Sequence, residues 1–194
     1  MTKQLILASS SPRRKELLSQ VNIPFTLRKQ DIDESQVTSQ DPVEKVKQLA
    51  ILKGRNIPIH QPDEVILSAD TVVSYQNNIF EKPADQEEAK KMISTLSGDV
   101  HEVYTGVLLR TEEEEAVIVE RTEVEFWPLT EEEINWYIAT EEPYDKAGAY
   151  GIQHLGAMFV KQVKGDYYNV VGLPISRVVR ELRRFSVFPE RGDL

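Results

Sequence analysis

Cysteine is absent from the 194-residue chain. That one absence removes a disulfide framework, a thiolate metal site and a cysteine nucleophile. Long hydrophobic runs are missing as well. No apolar stretch approaches the roughly 20 residues that cross a bilayer, and the first residues lack the charged-then-apolar pattern of a secretory leader. A cytoplasmic protein with no membrane partner is expected. Glycine-rich phosphate loops of the P-loop or dinucleotide-binding kind do not occur. Histidine is scarce, and His60, His101 and His154 lie in no paired-ligand or triad pattern. Positive charge is also short, with 23 Lys and Arg against 32 Asp and Glu and a net charge of −9. A nucleic-acid partner needs a basic face that releases counterions, so none is expected. Any anion site must be a local gathering of cations inside an acidic protein, which is the pattern of a small-molecule phosphate pocket.

What is present is ordinary globular composition, 40% hydrophobic and 28% charged. The length suits one domain or two closely joined lobes with a sizeable core. Strand-like runs alternate with helix-like ones. Strands are predicted at Leu5–Ala8, Ile23–Lys29, Val65–Tyr75 and Ile79–Phe80. Two hairpins are predicted as well. One joins Val100–Leu109 to Ala116–Phe126 around an acidic tip, and the other joins Met158–Val163 to Tyr167–Val171. Helices are predicted over Pro12–Gln20, from Asp41 to a stop at Gly54, from Asp85 to Gly98, after Thr130, and from Pro174. Asp41, Asp85 and Thr130 each precede an acid three residues on, the capping-box spacing. The tail after about residue 188 reads as frayed. Helices interleaved with strands and hairpins indicate an α/β fold with a mixed sheet flanked by helices.

The most informative stretch is Leu5-Ile-Leu-Ala-Ser-Ser-Ser-Pro-Arg-Arg14. A short buried strand meets three serines, and Ser11 before Pro12 is a helix-start signal. A helix N-terminus carrying two guanidinium groups is a phosphate cradle in outline. The same spacing also fits an ordinary strand-to-helix turn with solvated arginines. Further along, Val43, Val46, Ala50 and Lys53 form one line at helical spacing, so Lys53 either snorkels at the helix end or points into a site. Asp70 stands within the most strand-like run, among Ala69, Thr71 and Val72. A carboxylate buried there requires a metal, a cation or open water.

Ser9, Ser11, Arg13, Arg14, Glu34, Lys53, Asp70, Lys82, Asp145, Lys146 and Gln153 all sit oddly for their local pattern. Together they supply carboxylates able to hold a hard divalent cation and cations able to bind phosphates. The three histidines offer no competing chemistry, and His154 reads as a surface loop residue. Trp127 and Trp136 read as core or rim residues.

Ala8-Ser-Ser-Ser-Pro-Arg-Arg14, Asp33-Glu34, Ser68-Ala-Asp-Thr71, Glu81-Lys-Pro83, Leu96-Ser-Gly98, Asp145-Lys-Ala-Gly-Ala-Tyr-Gly-Ile-Gln153 and Val171-Gly-Leu-Pro174 occur in order along nearly the whole chain. In these motifs the sequence resembles the Maf family of nucleoside-triphosphate pyrophosphatases. The resemblance implies a single Maf-like domain over residues 1–194, related in shape to inosine-triphosphatases, with two lobes and a central cleft. It implies hydrolysis of a nucleoside triphosphate to the monophosphate and pyrophosphate with Mg²⁺ or Mn²⁺, and a house-cleaning role with a link to cell-division arrest. One branch of the family is similar to dTTP/UTP pyrophosphatases and carries Arg, Thr and Gln where a sister branch carries Trp, Gln and Glu. Arg13, Thr71 and Gln153 match the first branch, while His154 stands where the family carries glycine.

On that resemblance, Glu34 and Asp70 hold the metal, and Asp70 is the candidate base for the attacking water. Arg14, Lys53 and Lys82 neutralise the phosphates, Ser9 and Ser11 cradle oxygens, and Arg13, Thr71 and Gln153 read the pyrimidine. Asp145 and Lys146 complete the site. Two alternatives stay open: an inosine/xanthosine triphosphate pyrophosphatase, and a nucleotide-binding division regulator without catalysis. A homodimer is the one protein partner this reading leaves open.

Overall fold

The computed structural model describes residues 3–190. Strand β1 (Gln4–Leu7) runs parallel to both β2 (Phe25–Leu27) and β3 (Glu64–Tyr75). β3 turns back at Gln76 and Asn77 into β4 (Asn78–Phe80). Both turn residues have positive φ, the conformation that matches strand twist in a two-residue hairpin. On its other edge β3 pairs antiparallel with β5 (Val100–Arg110), which pairs with β6 (Glu115–Phe126), which pairs with β7 (Val160–Lys164). The mixed sheet expected from the sequence is therefore present.

One consequence of this topology positions everything that follows. β5 holds one edge of β3 from Ile66 to Ser74. On the opposite edge β1 pairs only with Glu64–Leu67 and β4 only with Val73–Tyr75. Ser68 to Val72 thus face a gap in the sheet. Side chains alternate along a strand, and so Asp70 and Thr71 lie on opposite faces but flank the same gap.

Helices cover both faces. On Asp70's face lies α2 (Pro42–Asn56), whose Val46 packs with Val72 and Tyr104. On the other face Leu5, Leu67 and Val73 share the main core with Leu17 and Leu18 of α1 (Pro12–Gln20). Ile93 of α3 (Gln86–Leu96), Tyr137 of α4 (Glu131–Ile138) and Leu182 of α6 (Ile175–Arg184) join the same core. Among the described residues no helix is long and apolar enough to cross a membrane.

Several local expectations change. Tyr167–Val171 is not the second arm of a hairpin but a short helix, α5. Asp166 caps it by accepting from the Tyr168 N–H, and Gly172, at φ 132°, ends it. β-branched and aromatic residues lose their strand preference here to a cap at each end. Of the proposed partner arm only Val160–Lys164 is strand, and it pairs with β6; Leu155–Phe159 is a 3₁₀ turn. The strand expected over Ile23–Lys29 shrinks to three residues. Gly54 does not stop α2. It lets the helix lie close to the sheet, since an added Cβ would stand 2.5 Å from the Ser68 and Leu108 side chains. Val43 is exposed, and Leu49 takes its place in the buried stripe. Only Thr130 completes a full capping box; the Asp41 N–H is taken by Ser39 Oγ instead, and Glu88 reaches the Ala84 N–H. The expected fraying after residue 188 is not seen at Glu190, whose N–H bonds the Asn22 carbonyl at 2.7 Å; residues 191–194 lie outside the described part. Trp127 and Trp136 are not core residues but stand half exposed on the surface, and neither packs in the interior.

Near the start of the sheet, Arg28 forks onto Glu64 at 2.7 and 2.9 Å, and the His60 N–H adds a third bond at 2.8 Å. The Arg28 hydrogen bond, working against burial, pulls the Glu64 carboxyl down to about 2. A carboxyl lowered on folding adds stability above its unfolded pKa of about 4.5, and that stability disappears as the pH falls toward 2. Glu64→Gln is therefore expected to cost about 2–3 kcal/mol in urea unfolding at pH 7. Little of that difference should survive at pH 2.

Candidate active site

The gap in the sheet opens into a cleft of about 790 Å³. It gathers side chains from both faces. All five groups whose meeting the sequence required line it: Ser11, Glu34, Lys53, Asp70 and Lys82.

Lys53 is the hub on the α2 face. Lys45, Leu49 and Lys53, spaced four apart, run along the cleft wall of α2. The Lys53 ammonium is buried and donates to Asp70 Oδ1 at 2.6 Å. It also stands 3.1 Å from Glu34 Oε1, which arrives on a 3₁₀ turn (Glu34–Gln36) begun by an Asp33 cap. The snorkelling alternative is thereby excluded: Lys53 points inward, to two carboxylates. Lys45 was not singled out from the sequence. Its ammonium bonds the Val37 carbonyl at 2.7 Å and pairs with Glu81 at 3.2 Å. Its place eight residues before Lys53, about two turns along the same helix face, was the available signal. Lys82, next to Glu81, is exposed at the rim.

On the other face Arg14 is partly buried, and its guanidinium ties three segments together. It donates to the Gly172 carbonyl at 2.8 Å, to Thr71 Oγ1 at 3.1 Å and to Ser9 Oγ at 3.3 Å. Burial lowers its pKa to about 10, partly offset by Asp70, so it stays cationic at neutral pH. The expected Ser11 cap is not formed. Instead Ser9 Oγ accepts from the Ser11 N–H at 3.2 Å, and no side chain caps the first turn of α1. Arg13 reaches across the cleft mouth to Asp145 Oδ2 at 3.0 Å, and Lys146 holds the other carboxylate oxygen at 2.7 Å. Burial pushes the Asp145 pKa up, but the hydrogen bonds from Lys146 and Arg13 outweigh it and leave it below the usual range.

The segment from Asp145 to Gln153 reaches the cleft through a backbone that only glycine tolerates at one point. Gly148 has φ 71°, and a Cβ there would lie 2.7 Å from Val73. Beyond it the Tyr150 hydroxyl meets His101 Nε2 at 2.7 Å in an aromatic cluster with Phe126. Burial lowers the His101 pKa to about 4, so at neutral pH this histidine is an uncharged part of the core. Gln153 is half buried on the cleft wall, and its Oε1 is buried without a hydrogen-bond partner. His154 is exposed beside it, as expected.

Among the described residues no three acids or histidines gather in a cage that could hold a metal alone. Two carboxylates converging on one point is a different arrangement. Magnesium keeps several waters and takes one or two carboxylates plus substrate phosphates, and Glu34 with Asp70 fits that donor set.

Known proteins place the fold and the motifs. A HAM1 protein from Coxiella burnetii superposes with a TM-score of 0.53 over 95% of this chain and 100% of its own, at 14% identity. That likeness extends to the fold alone. Sequence relatives are far nearer. A protein of Halalkalibacterium halodurans named dTTP/UTP pyrophosphatase is 55% identical over 93% of this chain and 95% of its own length. Proteins of the same name from Bacillus cytotoxicus and Bacillus cereus are 52% and 48% identical, each over 95% of this chain. The Maf-like protein family matches residues 4–185, a span that contains every cleft residue described above, and the chain belongs to the Maf family.

Proposed function

We propose that this chain hydrolyses dTTP and UTP to the monophosphate and pyrophosphate, with Mg²⁺ or Mn²⁺ as cofactor, in the cleft between two lobes of one domain. The observation that carries the reading is the Lys53 ammonium held between Glu34 and Asp70 at the edge of a cleft rich in cations. The names of relatives at about half identity support the choice of nucleotide.

Glu34 and Asp70 would hold the divalent ion, which supplies charge neutralisation at the phosphates. Asp70 Oδ1 takes the Lys53 hydrogen bond, and Oδ2 is left to accept a proton from the water that attacks the α-phosphorus. Lys53 and Lys82 bind phosphate oxygens and oppose the charge that builds on the departing pyrophosphate. The uncapped N–H groups at the start of α1, with Ser9 and Ser11, cradle further oxygens. Arg14 contributes positive potential from below and holds Ser9 and Thr71 in place. Arg13, Thr71 and Gln153 face the base, with Asp145 and Lys146 orienting Arg13. Thr71 Oγ1 accepts from Arg14, shares a hydrogen bond with Thr105 at 2.8 Å and lies 3.5 Å from the Gly172 carbonyl, so these contacts fix its hydroxyl beside the base subsite.

The test is pyrophosphate release from dTTP, UTP, CTP, ATP, GTP and ITP, each with and without EDTA. Fastest release from dTTP and UTP, abolished by EDTA, is the expected result. A profile led by ITP overturns the pyrimidine assignment. Nucleotide binding without pyrophosphate release in the presence of metal overturns the catalytic one.

A further inference from the structure

The loop that presents Gln153 is held from behind by a residue with no part in the chemistry above. Glu142 stands in a 3₁₀ turn (Glu142–Asp145) after α4. Its carboxylate accepts three hydrogen bonds, each 3.0 Å long: Oε1 from the Tyr137 hydroxyl and the Gly156 N–H, Oε2 from the Leu155 N–H. The two N–H groups open the 3₁₀ turn Leu155–Phe159, whose own leading residue, His154, supplies no cap. Helical turns leave their first N–H groups unpaired, and a carboxylate is a strong acceptor for them. Glu142 performs that capping from a different part of the chain.

The other end of the loop is tied to the same centre. Tyr137 Oη accepts from the Gly151 N–H at 3.1 Å while donating to Glu142, and the Tyr137 ring is completely buried against Phe159. The loop therefore leaves and re-enters one hydrogen-bonded base, and its two ends touch. A Cβ on Gly156 would stand 2.5 Å from the Gly151 carbonyl oxygen, which shows how tightly the base is closed. Gln153 and His154 form the tip, on the cleft wall. The Glu142 main-chain carbonyl also accepts from Lys146 Nζ at 2.8 Å, so the same residue steadies the lysine that grips Asp145.

We propose that Glu142 is a positioning residue for nucleotide selectivity: with Tyr137 it clamps the base of the 151–156 loop and so fixes where Gln153 meets the base of the triphosphate. The proposal rests on the reading that Gln153 lies in the base subsite. Glutamine in place of Glu142 keeps the size and the main-chain bond to Lys146. It offers one oxygen and an NH₂ group where three donors converge, so at least one N–H of the loop loses its acceptor.

The experiment compares kcat and KM for UTP and GTP in the wild type, Glu142→Gln and Tyr137→Phe. Both variants loosen the same clamp from different sides. The expected result is a fall of about tenfold or more in the UTP-to-GTP ratio of kcat/KM in each, carried by KM for UTP. In both, kcat at saturating UTP should stay within about threefold of wild type. An unchanged ratio, or an equal loss of kcat for both nucleotides, assigns Glu142 a purely structural role and overturns the proposal. If Glu142→Gln does not fold, the Tyr137→Phe ratio decides. A wild-type enzyme that does not prefer UTP to GTP is a failure of the pyrimidine reading, and it is visible before any variant is made.

Discussion

Asp70→Asn should fold normally and lose pyrophosphate release by roughly a thousandfold, the scale on which a positioned general base acts. Asparagine is nearly the same shape and still offers an oxygen to Lys53, so the Lys53 contact at 2.6 Å has a replacement. What disappears is a group able to take a proton from water and a full charge toward a divalent ion. The thermal midpoint should fall modestly, because the amide leaves the buried Lys53 ammonium with only the half-exposed Glu34 carboxylate as its counter-charge. The measurement is single-turnover pyrophosphate release beside a melting curve. Turnover near the wild-type rate would remove Asp70 from the mechanism.

Lys53→Met is expected to be nearly as damaging to activity, by a hundredfold or more, and for a second reason it should also destabilise the protein. Asp70 and Glu34 both point at the Lys53 ammonium. With methionine there, the Asp70 carboxyl group loses its nearest cation in a site where its side chain is only 12% exposed. The opening to the cleft lets water reach part of it, so the cost should be about 1–3 kcal/mol, less than for a sealed pair. The double variant Lys53→Met/Asp70→Asn separates the two effects. Stability should return toward wild type, because neither charge remains, while activity stays lost. The two activity losses should not add, since both variants strike one constellation. If the double variant is as unstable as Lys53→Met alone, the pairing is not what Lys53 contributes to the fold.

The two variants differ in what they say about the cleft. Asp70 stands on the strand at the edge of the sheet gap and Lys53 on the helix that covers one face. A shared result for both would tie the reaction to the place where strand and helix meet, which is also where β1 stops and β4 has not begun. In open α/β sheets, sites form where the chain topology leaves a crevice beside strand ends. Here the crevice is made by a parallel and an antiparallel neighbour occupying different lengths of the same edge of β3.

Much of this was legible one residue at a time. α1 begins and ends where the Pro12 signal and the apolar spacing placed it, and α3 buries Ala89, Met92, Ile93 and Leu96 as their spacing required. Asp70 in a β-run and Lys53 on an apolar stripe were each anomalies that demanded a partner, and each proved to be the other's. Tyr167–Val171 went the other way. Its composition favours strand, yet an Asp166 cap and a glycine stop produced a helix, because local hydrogen bonds at both ends outweigh a propensity worth a few tenths of a kcal/mol per residue. Glu142 gave no warning at all. A glutamate beside a proline on an acidic surface segment looks like solvated charge until the loop thirteen residues on folds back to it.

Local order is what the sequence by itself determined: strand and helix periods, caps, the anomalous charges and the ordered motifs of the family. These depend on neighbours within a turn or a pleat, so they are written in short stretches of chain. The tertiary structure alone decided which charges meet, that Arg14 braces the site from below, that the cleft lies in a break of the sheet, and that one carboxylate closes the Gln153 loop. Those bonds join residues from separate segments of the chain, which strand pairing, the seating of α2 on β3 and the fold-back of the 151–156 loop bring within 3 Å or so of each other.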